Sequence, residues 1–263
     1  MKPVSFFYLG PPKTASTWVF ECLKEHPQIC ATDHSETNFF DIHFHKGLTW
    51  YDALFPKCEA NQIRIDCTPT YINSLQALER ILDYNPDAKF TYGVRNPVDR
   101  AFSGYWHVKR TRDITYDFHS IMDTYVWFRA WVEPGLISSQ IAWLQDRVGK
   151  ENCKPIFFDD LKEDKEKMVV DLFDFVGIES NFTPQTLHTA VNVARPKTDL
   201  LSRLSNKMTR LVPGCDKVRF LSGKSAYLKG VAPEFRTHLN EICSPEIERL
   251  SALTGRDLSY WIK

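Results

Sequence analysis

Short apolar runs alternate with amphipathic segments along most of this chain. Apolar residues that recur every three or four positions indicate helices, and short continuous apolar runs between turn residues indicate buried strands. The apolar runs predict strands at 4–9, 62–66, 88–94 and 154–158. The helical spacing predicts helices from about 16 to before 27, and at about 47–55, 75–82, 98–109, 137–148, 165–176 and 233–253. Such alternation favours right-handed crossovers and therefore an α/β fold with a mainly parallel sheet.

Proline and glycine mark several element ends. Pro97 is placed as a first helical residue, and Gly177 as the glycine that ends a helix. Pro245 predicts a break in the last helix because it cannot donate a backbone hydrogen bond. The pattern leaves 112–134 open between irregular and helical structure. Residues 183–232 lack a continuous pattern, and we expect them to form a loop-rich lobe over a site.

Composition limits the classes of protein that fit. The 263 residues suit one domain, 1–263, and 43% apolar residues with 13% aromatics are enough for a large core. Lys plus Arg and Asp plus Glu both number 33, so no overall field attracts nucleic acid or an anionic membrane. We therefore expect any anion site to be local, and no nucleic-acid or membrane partner. The oligomeric state is left open.

The cysteines indicate a reducing compartment. They are odd in number, seven, and no two are spaced as Cys-x-x-Cys. We expect mostly reduced thiols in a cytoplasmic protein, with no zinc site. The first apolar run is too short for a signal peptide. The sequence contains no run of about 18 apolar residues, so we expect no membrane span. The positions are Cys22, Cys30, Cys58, Cys67, Cys153, Cys215 and Cys243.

The residues 10–18 join the first predicted strand to the first helix and concentrate groups that bind anions. A helix start offers unpaired backbone N–H groups and the positive end of the helix dipole. Lys13, Thr14, Ser16 and Thr17 crowd this turn. The loop lacks the Gly-Lys-Ser/Thr ending of a Walker A motif. Two interpretations stay open here: a binding loop for phosphate or a similar group, or a plain turn with ordinary hydroxyl capping.

A second polar motif follows the strand at 88–94. Arg95 leaves this strand and Ser103 lies eight residues later, on the next helix. A planar guanidinium beside a hydroxyl suits phosphate oxygens; the alternative is that Arg95 pairs with a carboxylate and Ser103 faces solvent. Ligands of parallel sheets bind beyond the carboxyl ends of the strands. That rule places Arg95, the Lys13 loop and the turn at 66–71 along one edge.

Together the two motifs resemble those of sulfotransferases that use 3′-phosphoadenosine 5′-phosphosulfate (PAPS). Residues 12–18, Pro-Lys-Thr-Ala-Ser-Thr-Trp, are similar to the 5′-phosphosulfate loop of that family. Residues 95–103, Arg-Asn-Pro through Arg-Ala-Phe-Ser, are similar to its 3′-phosphate motif. Lys229-Gly230 resembles the lysine-glycine loop that closes over the 3′-phosphate.

Three further stretches resemble the acceptor side of the heparan sulfate sulfotransferase-like branch. They are Ser-Glu-Thr-Asn-Phe-Phe-Asp at 35–41, Lys-Gly-Leu-Thr-Trp-Tyr at 46–51, and the acidic-x-Ser-Pro-x-Tyr-like turn at 66–71. The likeness covers most of the chain. It is most specific in the two donor motifs.

The resemblance implies a P-loop-like three-layer α/β fold with helices on both sides of the sheet. It also implies PAPS as donor, 3′-phosphoadenosine 5′-phosphate (PAP) as product, and no metal. Lys13, the N–H groups of residues 14–17 and the hydroxyls of Ser16 and Thr17 suit the charge that develops on the leaving phosphate. Trp18 has two open roles, stacking on adenine or packing in the core. The implied cofactor-binding residues are Lys13, Thr14, Ala15, Ser16, Thr17, Trp18, Arg95, Ser103, Lys229 and Gly230.

The acceptor also needs a base. By resemblance Glu36 is the candidate, and it needs burial or hydrogen bonding to be an effective base near neutral pH. Asp66 is predicted to orient the acceptor or to position Lys13. The alternatives to Glu36 as base are the four histidines His34, His43, His45 and His107.

Two positions depart from the family pattern. Ala15 stands where glycine is usual, and Cys67 stands where the heparan branch has a lysine that would face an anionic sugar. With no net charge, this favours a small hydroxylated or amine metabolite as acceptor and partner. The alternatives are sulfation of a glycan, a nucleotide-dependent phosphoryl transferase, and a nucleotide-binding protein without turnover.

Overall fold

A computed structural model describes residues 2–111, 114–189 and 230–262. Its centre is a sheet of five strands, all parallel, in the order β2-β3-β1-β4-β5. The strands are β1 (Phe6–Tyr8), β2 (Ile29–Ala31), β3 (Ile63–Cys67), β4 (Lys89–Val94) and β5 (Cys153–Phe157). The α/β fold with a parallel central sheet, predicted from the alternating pattern, is confirmed.

Helices connect successive strands and cover both faces of the sheet. The last helix, α9, begins at Pro233 and ends at Thr254, where Gly255 follows with a left-handed backbone. The described helices are α1 (Ser16–Lys24), α2 (Gly47–Asp52), α3 (Leu75–Tyr84), α4 (Pro97–Thr111), α5 (Tyr125–Trp131), α6 (Ser138–Val148), α7 (Asp160–Glu163), α8 (Lys165–Val176) and α9 (Pro233–Thr254).

The side chains of β1 alternate between two apolar cores. Phe7 belongs to one core, together with residues of α3, α4, α6 and α9. Phe6 and Tyr8 belong to the other, together with residues of α1 and α8. Successive residues of a strand point to opposite faces, so the two cores lie on opposite sides of the sheet. This three-layer arrangement explains why β1 is apolar without alternation.

Two parts of the sequence pattern gave incomplete predictions. Strand β2 was not predicted, because its three residues lie between the polar residues Gln28 and Thr32, whereas the equally short β1 lies within a longer apolar run. The open segment at 112–134 contains α5 and two short 3₁₀ turns, Phe118–Met122 and Glu133–Gly135. Most of the predicted lobe at 183–232 lies outside the described residues.

The predicted break at Pro245 is wrong. Helix α9 continues through Pro245 to Thr254. Pro245 has no N–H to donate to the carbonyl of Glu241, one turn earlier. The hydroxyl of Ser244 donates to that carbonyl instead, at 3.0 Å. A side-chain donor thus replaces the missing backbone donor, and the helix continues.

The expectation of mostly reduced cysteines needs one correction. Cys30 and Cys58 form a disulfide, with their Cα atoms 5.6 Å apart. Cys30 lies in β2, and the chain passes Cys58 just before it enters β3 beside β2. The sequence pattern missed β2 and therefore missed this proximity. The free cysteines among the described residues are Cys22, Cys67, Cys153 and Cys243.

Of the helices in the described ranges, none combines the length and apolar character that crossing a bilayer requires.

Candidate active site

Three loops meet at the carboxyl edge of the sheet. Strand β1 pairs with β3 on one side and with β4 on the other, so the segments that follow these strands are neighbours. They are the loop at 9–15, the turn at 68–74 and the chain from Arg95 into α4. The backbones of two of them touch, because a Cβ on Gly10 would collide with the carbonyl oxygen of Pro69. The edge predicted from the strand-end rule is therefore formed by these three segments.

Internal hydrogen bonds fix the shape of the loop after β1. Thr14 is fully buried, and its hydroxyl donates to the carbonyl of Pro11 at 2.6 Å. The Tyr8 hydroxyl lies 2.7 Å from the Thr14 hydroxyl and donates to the Thr14 carbonyl at 3.0 Å. Gly93 of β4 has no room for a Cβ beside Thr14. The Thr14 side chain therefore stabilises the loop itself.

The loop leads directly into the start of helix α1. Lys13 and Ala15 both have left-handed backbones, with φ of 75° and 72°. Ala15, the residue that precedes α1, makes no side-chain capping hydrogen bond, and no acidic residue lies in the first turn. The partial positive charge of this helix end is therefore not offset by its own side chains. Ser16 and Thr17, the two hydroxyl residues of the turn, are half-buried.

Arg95 holds the loop from the β4 side. Its Nη1 donates to the carbonyl of Lys13 at 2.7 Å, and its guanidinium lies 3.9 Å from the centre of the Phe158 ring. This bond fixes the backbone of the lysine. Lys13 also approaches helix α4, since a Cβ on Gly104 would lie 3.9 Å from its Cγ. Ser103, the neighbour of Gly104 in α4, is half-buried.

Arg100 is a second cation that the sequence analysis did not single out. It is 4% exposed, and it donates through Nη2 to the carbonyl of Trp131, while its Nε has no partner within the described residues. Burial, reinforced by the charge of Arg95, lowers the pKa of Arg100 to about 10. Two guanidinium groups close enough to repel each other indicate a positive potential at this end of α4.

Glu36 lies within electrostatic reach of Lys13. It keeps contact with solvent. Partial burial of its carboxyl group raises its pKa above the ordinary value, Lys13 opposes that rise, and the negative charge of Asp41 adds to it. The structure therefore brings the predicted base and the predicted lysine together, at the exit from β1.

Asp66 lies beneath this site instead of opening into it. Its side chain is 1% exposed. Burial raises its pKa, and hydrogen bonds from Thr68 and other hydroxyl groups oppose the rise. The hydroxyls that donate to its carboxylate belong to Thr37, Tyr51, Thr68 and Tyr71.

The other predicted residues fall into three groups. Trp18 is 6% exposed and packs in the core with Phe6, which supports the core role of the two that were open. Gly230 has a positive φ of 71° shortly before α9, and Lys229 lies outside the described residues. Of the four alternative bases, His43 is packed against the Trp50 ring and the others are exposed: His34, His45 and His107.

The sequence analysis missed the hydroxyl groups that surround Asp66. Thr37 and Tyr71 stood inside motifs that it quoted, but a motif does not show that their side chains converge. Tyr51, which also stood inside a quoted motif, reaches the same carboxylate from α2. The sequence did carry one signal, namely the hydroxyl residues in the stretches 35–41 and 66–71, the second of which begins at Asp66 near the end of β3.

Comparison with known proteins shows the family to which this chain belongs. The family model described as "Sulfotransferase domain" matches residues 4–243. Human heparan sulfate glucosamine 3-O-sulfotransferase 6 is 39% identical over 97 residues, which are 37% of this chain and 28% of that protein. The match thus spans less than a third of the length of that curated relative.

Two solved structures support the same fold. The crystal structure of a sulfotransferase from Alicyclobacillus acidocaldarius is 25% identical, covers 100% of both chains and superposes with a TM-score of 0.76. The sulfotransferase domain from the curacin biosynthetic pathway is 16% identical, covers 88% of this chain and 99% of that one, and has a TM-score of 0.53. At that identity, the second likeness concerns the fold alone.

Proposed function

Because the chain belongs to the sulfotransferase domain family, we propose that it transfers a sulfuryl group from PAPS to a hydroxyl or amine group of a small metabolite. The observation that carries the proposal is that the Lys13 loop, held by Arg95, leads into a helix start without acidic residues, with Glu36 within electrostatic reach of Lys13. A cation and dipole suited to a leaving phosphate therefore lie beside a carboxylate suited to accept a proton.

The donor side fits a nucleotide that carries two phosphate groups. The start of α1 would hold the 5′ end, with Lys13 and the hydroxyls of Ser16 and Thr17. Arg95 and Ser103 would hold the 3′-phosphate, and the buried charge of Arg100 would add to the attraction. Lys229 and Gly230 are proposed to close over the same phosphate. Anions bind at helix starts and to guanidinium groups for the same electrostatic reason.

In the proposed reaction, side chains of the protein stabilise a developing negative charge and accept one proton. When bound, the donor would supply the sulfuryl group and leave as PAP. Lys13 would stabilise the negative charge that grows on the leaving phosphate oxygen. Glu36 would accept the proton that the acceptor hydroxyl or amine loses as its bond to sulfur forms. The raised pKa of Glu36 suits this role, because a base works best when its pKa approaches the working pH.

The acceptor is proposed to be a small molecule and not a sulfated glycan. The three acceptor-side stretches, 35–41, 46–51 and 66–71, carry Glu36, Asp41 and Asp66 against a single cation, Lys46. Cys67 is buried where the related branch places a lysine. Charges of like sign oppose the approach of a polyanionic chain. An uncharged or amine-bearing metabolite meets no such repulsion.

The cytoplasmic location stays a prediction. The disulfide between Cys30 and Cys58 is of a kind that is rare in cytosolic proteins, and it weighs against that location.

Incubation with ³⁵S-labelled PAPS and a panel of acceptors tests the function. The panel contains small alcohols, amines, and desulfated and sulfated glycans. We expect label to pass to a small alcohol or amine. Transfer to a sulfated glycan alone would show the acceptor class to be wrong. No transfer together with no binding of PAP would refute the function itself.

A further inference from the structure

A buried hydrogen-bond hub lies beneath Glu36. Its centre is Asp66, the residue before the last in β3. Asp66 Oδ2 accepts from the hydroxyls of Thr37 at 2.7 Å, Tyr51 at 2.8 Å and Tyr71 at 3.1 Å. Its Oδ1 accepts from the Thr68 hydroxyl at 2.7 Å. We call Asp66 and these four hydroxyl residues the hub.

The hub uses the hydroxyl groups of Thr68 and Tyr71 twice. A hydroxyl carries one proton and two lone pairs, and an ionised carboxylate only accepts. When all four protons point to Asp66, the hydroxyl oxygens remain available as acceptors. The Thr68 oxygen accepts from the backbone N–H of Thr37 at 3.1 Å, and the Tyr71 oxygen accepts from that of Phe39 at 2.9 Å. The backbone immediately after Glu36 is therefore bonded to groups that Asp66 orients.

The same turn also touches the Lys13 loop. Thr68 and Tyr71 lie on either side of Pro69, whose carbonyl leaves no space for a side chain on Gly10. One residue beyond Tyr71, the N–H of Ile72 donates to the carbonyl of Leu9 at 3.0 Å. The turn after β3 is thus attached both to the backbone that follows Glu36 and to the loop that carries Lys13.

Packing makes the hub rigid. The Tyr51 ring stacks on Phe39 with ring centres 4.4 Å apart and an angle of 11° between the planes. Phe40 meets the Tyr71 ring edge to face at 5.7 Å. Phe39 and Phe40 are fully buried, so the segment after Glu36 cannot shift without moving core residues.

We propose that Asp66 is a positioning residue of the transfer reaction, which acts through the Thr37 hydroxyl to hold Glu36 at its place beside Lys13. The inference rests on the proposed function, because it takes Glu36 as the base. Asp66 does not touch the reacting atoms. The Thr37 hydroxyl bonds to the Asp66 carboxylate and not to the Lys13 loop, so its loss should lower the turnover number and leave donor binding unchanged.

The direct test compares Thr37→Val with Thr37→Ser. Valine keeps the volume and removes the hydroxyl, whereas serine keeps the hydroxyl. Thr91→Val is the matched control, because Thr91 is also fully buried and its hydroxyl has no partner. Turnover is measured with the best acceptor of the panel, and PAP binding is measured by calorimetry. We expect Thr37→Val to lower kcat by about 10- to 100-fold, the scale of a misplaced catalytic group. Thr37→Ser, Thr91→Val and all dissociation constants for PAP stay near the wild-type values.

Amide hydrogen exchange provides a second measurement, which does not require a known sulfuryl acceptor. The peptide that spans 36–41 contains the amides of Thr37 and Phe39, which the hub holds. We expect Thr37→Val to speed exchange in this peptide and to leave the peptides of β4 unchanged. Unchanged exchange in this peptide would overturn the proposal, as would a wild-type kcat in Thr37→Val.

A double variant separates this inference from the proposed function. In a Glu36→Gln background, Thr37→Val should cause no further loss of kcat, because groups that act as a unit are not additive. Additive losses would show that Thr37 acts independently of Glu36 and would overturn the proposal. Full activity of Glu36→Gln alone would instead refute the proposed base, whatever Thr37 does.

Discussion

At the scale of single residues, opposing effects act on the carboxyl group of Glu36. Partial burial raises its pKa, the positive charge of Lys13 lowers it, and the negative charge of Asp41 raises it. A base must be ionised to accept a proton, so activity is expected to fall as the pH drops through the pKa of Glu36. That acid limb should lie above the pH range of an ordinary carboxyl group.

Asp41→Asn tests this reading of the charges. The substitution removes a negative neighbour, so the pKa of Glu36 should fall and the acid limb of kcat/KM should move to lower pH. A pH profile of both proteins measures the shift. An acid limb that stays in place or moves to higher pH would contradict the assignment of Glu36 as the titrating base.

Ala15 offers a second test at residue scale. Its φ of 72° is left-handed, a conformation that costs a residue with a Cβ about 1–2 kcal/mol. Glycine avoids this cost but loses about 0.5–1 kcal/mol of chain entropy on folding. We therefore expect Ala15→Gly to raise the free energy of unfolding by about 0.5–1 kcal/mol.

Gly177→Ala is the matched opposite change. Gly177 has φ of 91° and open space where a Cβ would stand, so alanine there adds backbone strain alone. That strain is partly offset by the chain entropy that alanine saves relative to glycine, so the expected loss is about 0.5–1 kcal/mol. Urea unfolding measures both variants. A destabilised Ala15→Gly would show that the alanine side chain makes contacts that outweigh its backbone cost.

At the scale of elements, a side chain of α9 caps another helix. Glu246 is buried, and its Oε1 accepts from the N–H groups of Ile137 and Ser138, each at 2.7 Å. Its Oε2 accepts from the Ser138 hydroxyl at 2.6 Å. The carboxylate thus meets the positive end of α6, which ties the last helix to the centre of the chain.

Removal of this cap should be costly. Glu246→Ala leaves buried donors without partners, and we expect a loss of about 3 kcal/mol in the free energy of unfolding. Glu248→Ala is the control, since Glu248 is exposed on the same helix. Surface changes of that kind usually stay within about 0.5 kcal/mol. Equal effects of the two substitutions in denaturant unfolding would disprove the role of the cap.

The disulfide encloses the acceptor-side segment. Cys30 and Cys58 are 28 positions apart, and the closed loop contains Glu36 and Thr37. A cross-link of that length restricts the unfolded chain and contributes about 3 kcal/mol. The variant Cys30→Ala/Cys58→Ala should lose about that much in free energy of unfolding. The reduced wild type should unfold like the variant, and a wild type insensitive to reduction would contradict the pairing.

The elements were predictable where pattern and length were sufficient. Helix α4 begins at Pro97, as its sequence indicates, because Asn96 accepts from the N–H of Val98 at 2.9 Å and caps the start. Strand β2 and the continuous α9 were not predictable. The three residues of β2 lie between polar residues, and the rescue of Pro245 depends on the rotamer of one serine.

At the scale of the whole molecule, the sequence predicts a candidate site, and the structure shows which buried contacts surround it. Lys13, Arg95 and Glu36 stood in recognisable motifs, and the strand-end rule placed their segments on one edge. The Asp66 hub joins three segments that are distant in sequence. Such convergence depends on tertiary packing, which local patterns do not encode.

The central claim is that the molecule transfers a sulfuryl group with the help of Lys13. Single-turnover transfer from ³⁵S-labelled PAPS tests it most directly, in the wild type, in Lys13→Ala and in Lys150→Ala, which removes an exposed lysine far from the site. We predict transfer by the wild type and by Lys150→Ala, and a loss of at least about 100-fold in Lys13→Ala. Equal rates in all three proteins would contradict the role of Lys13. No transfer by the wild type to any acceptor would contradict the sulfuryl transfer itself.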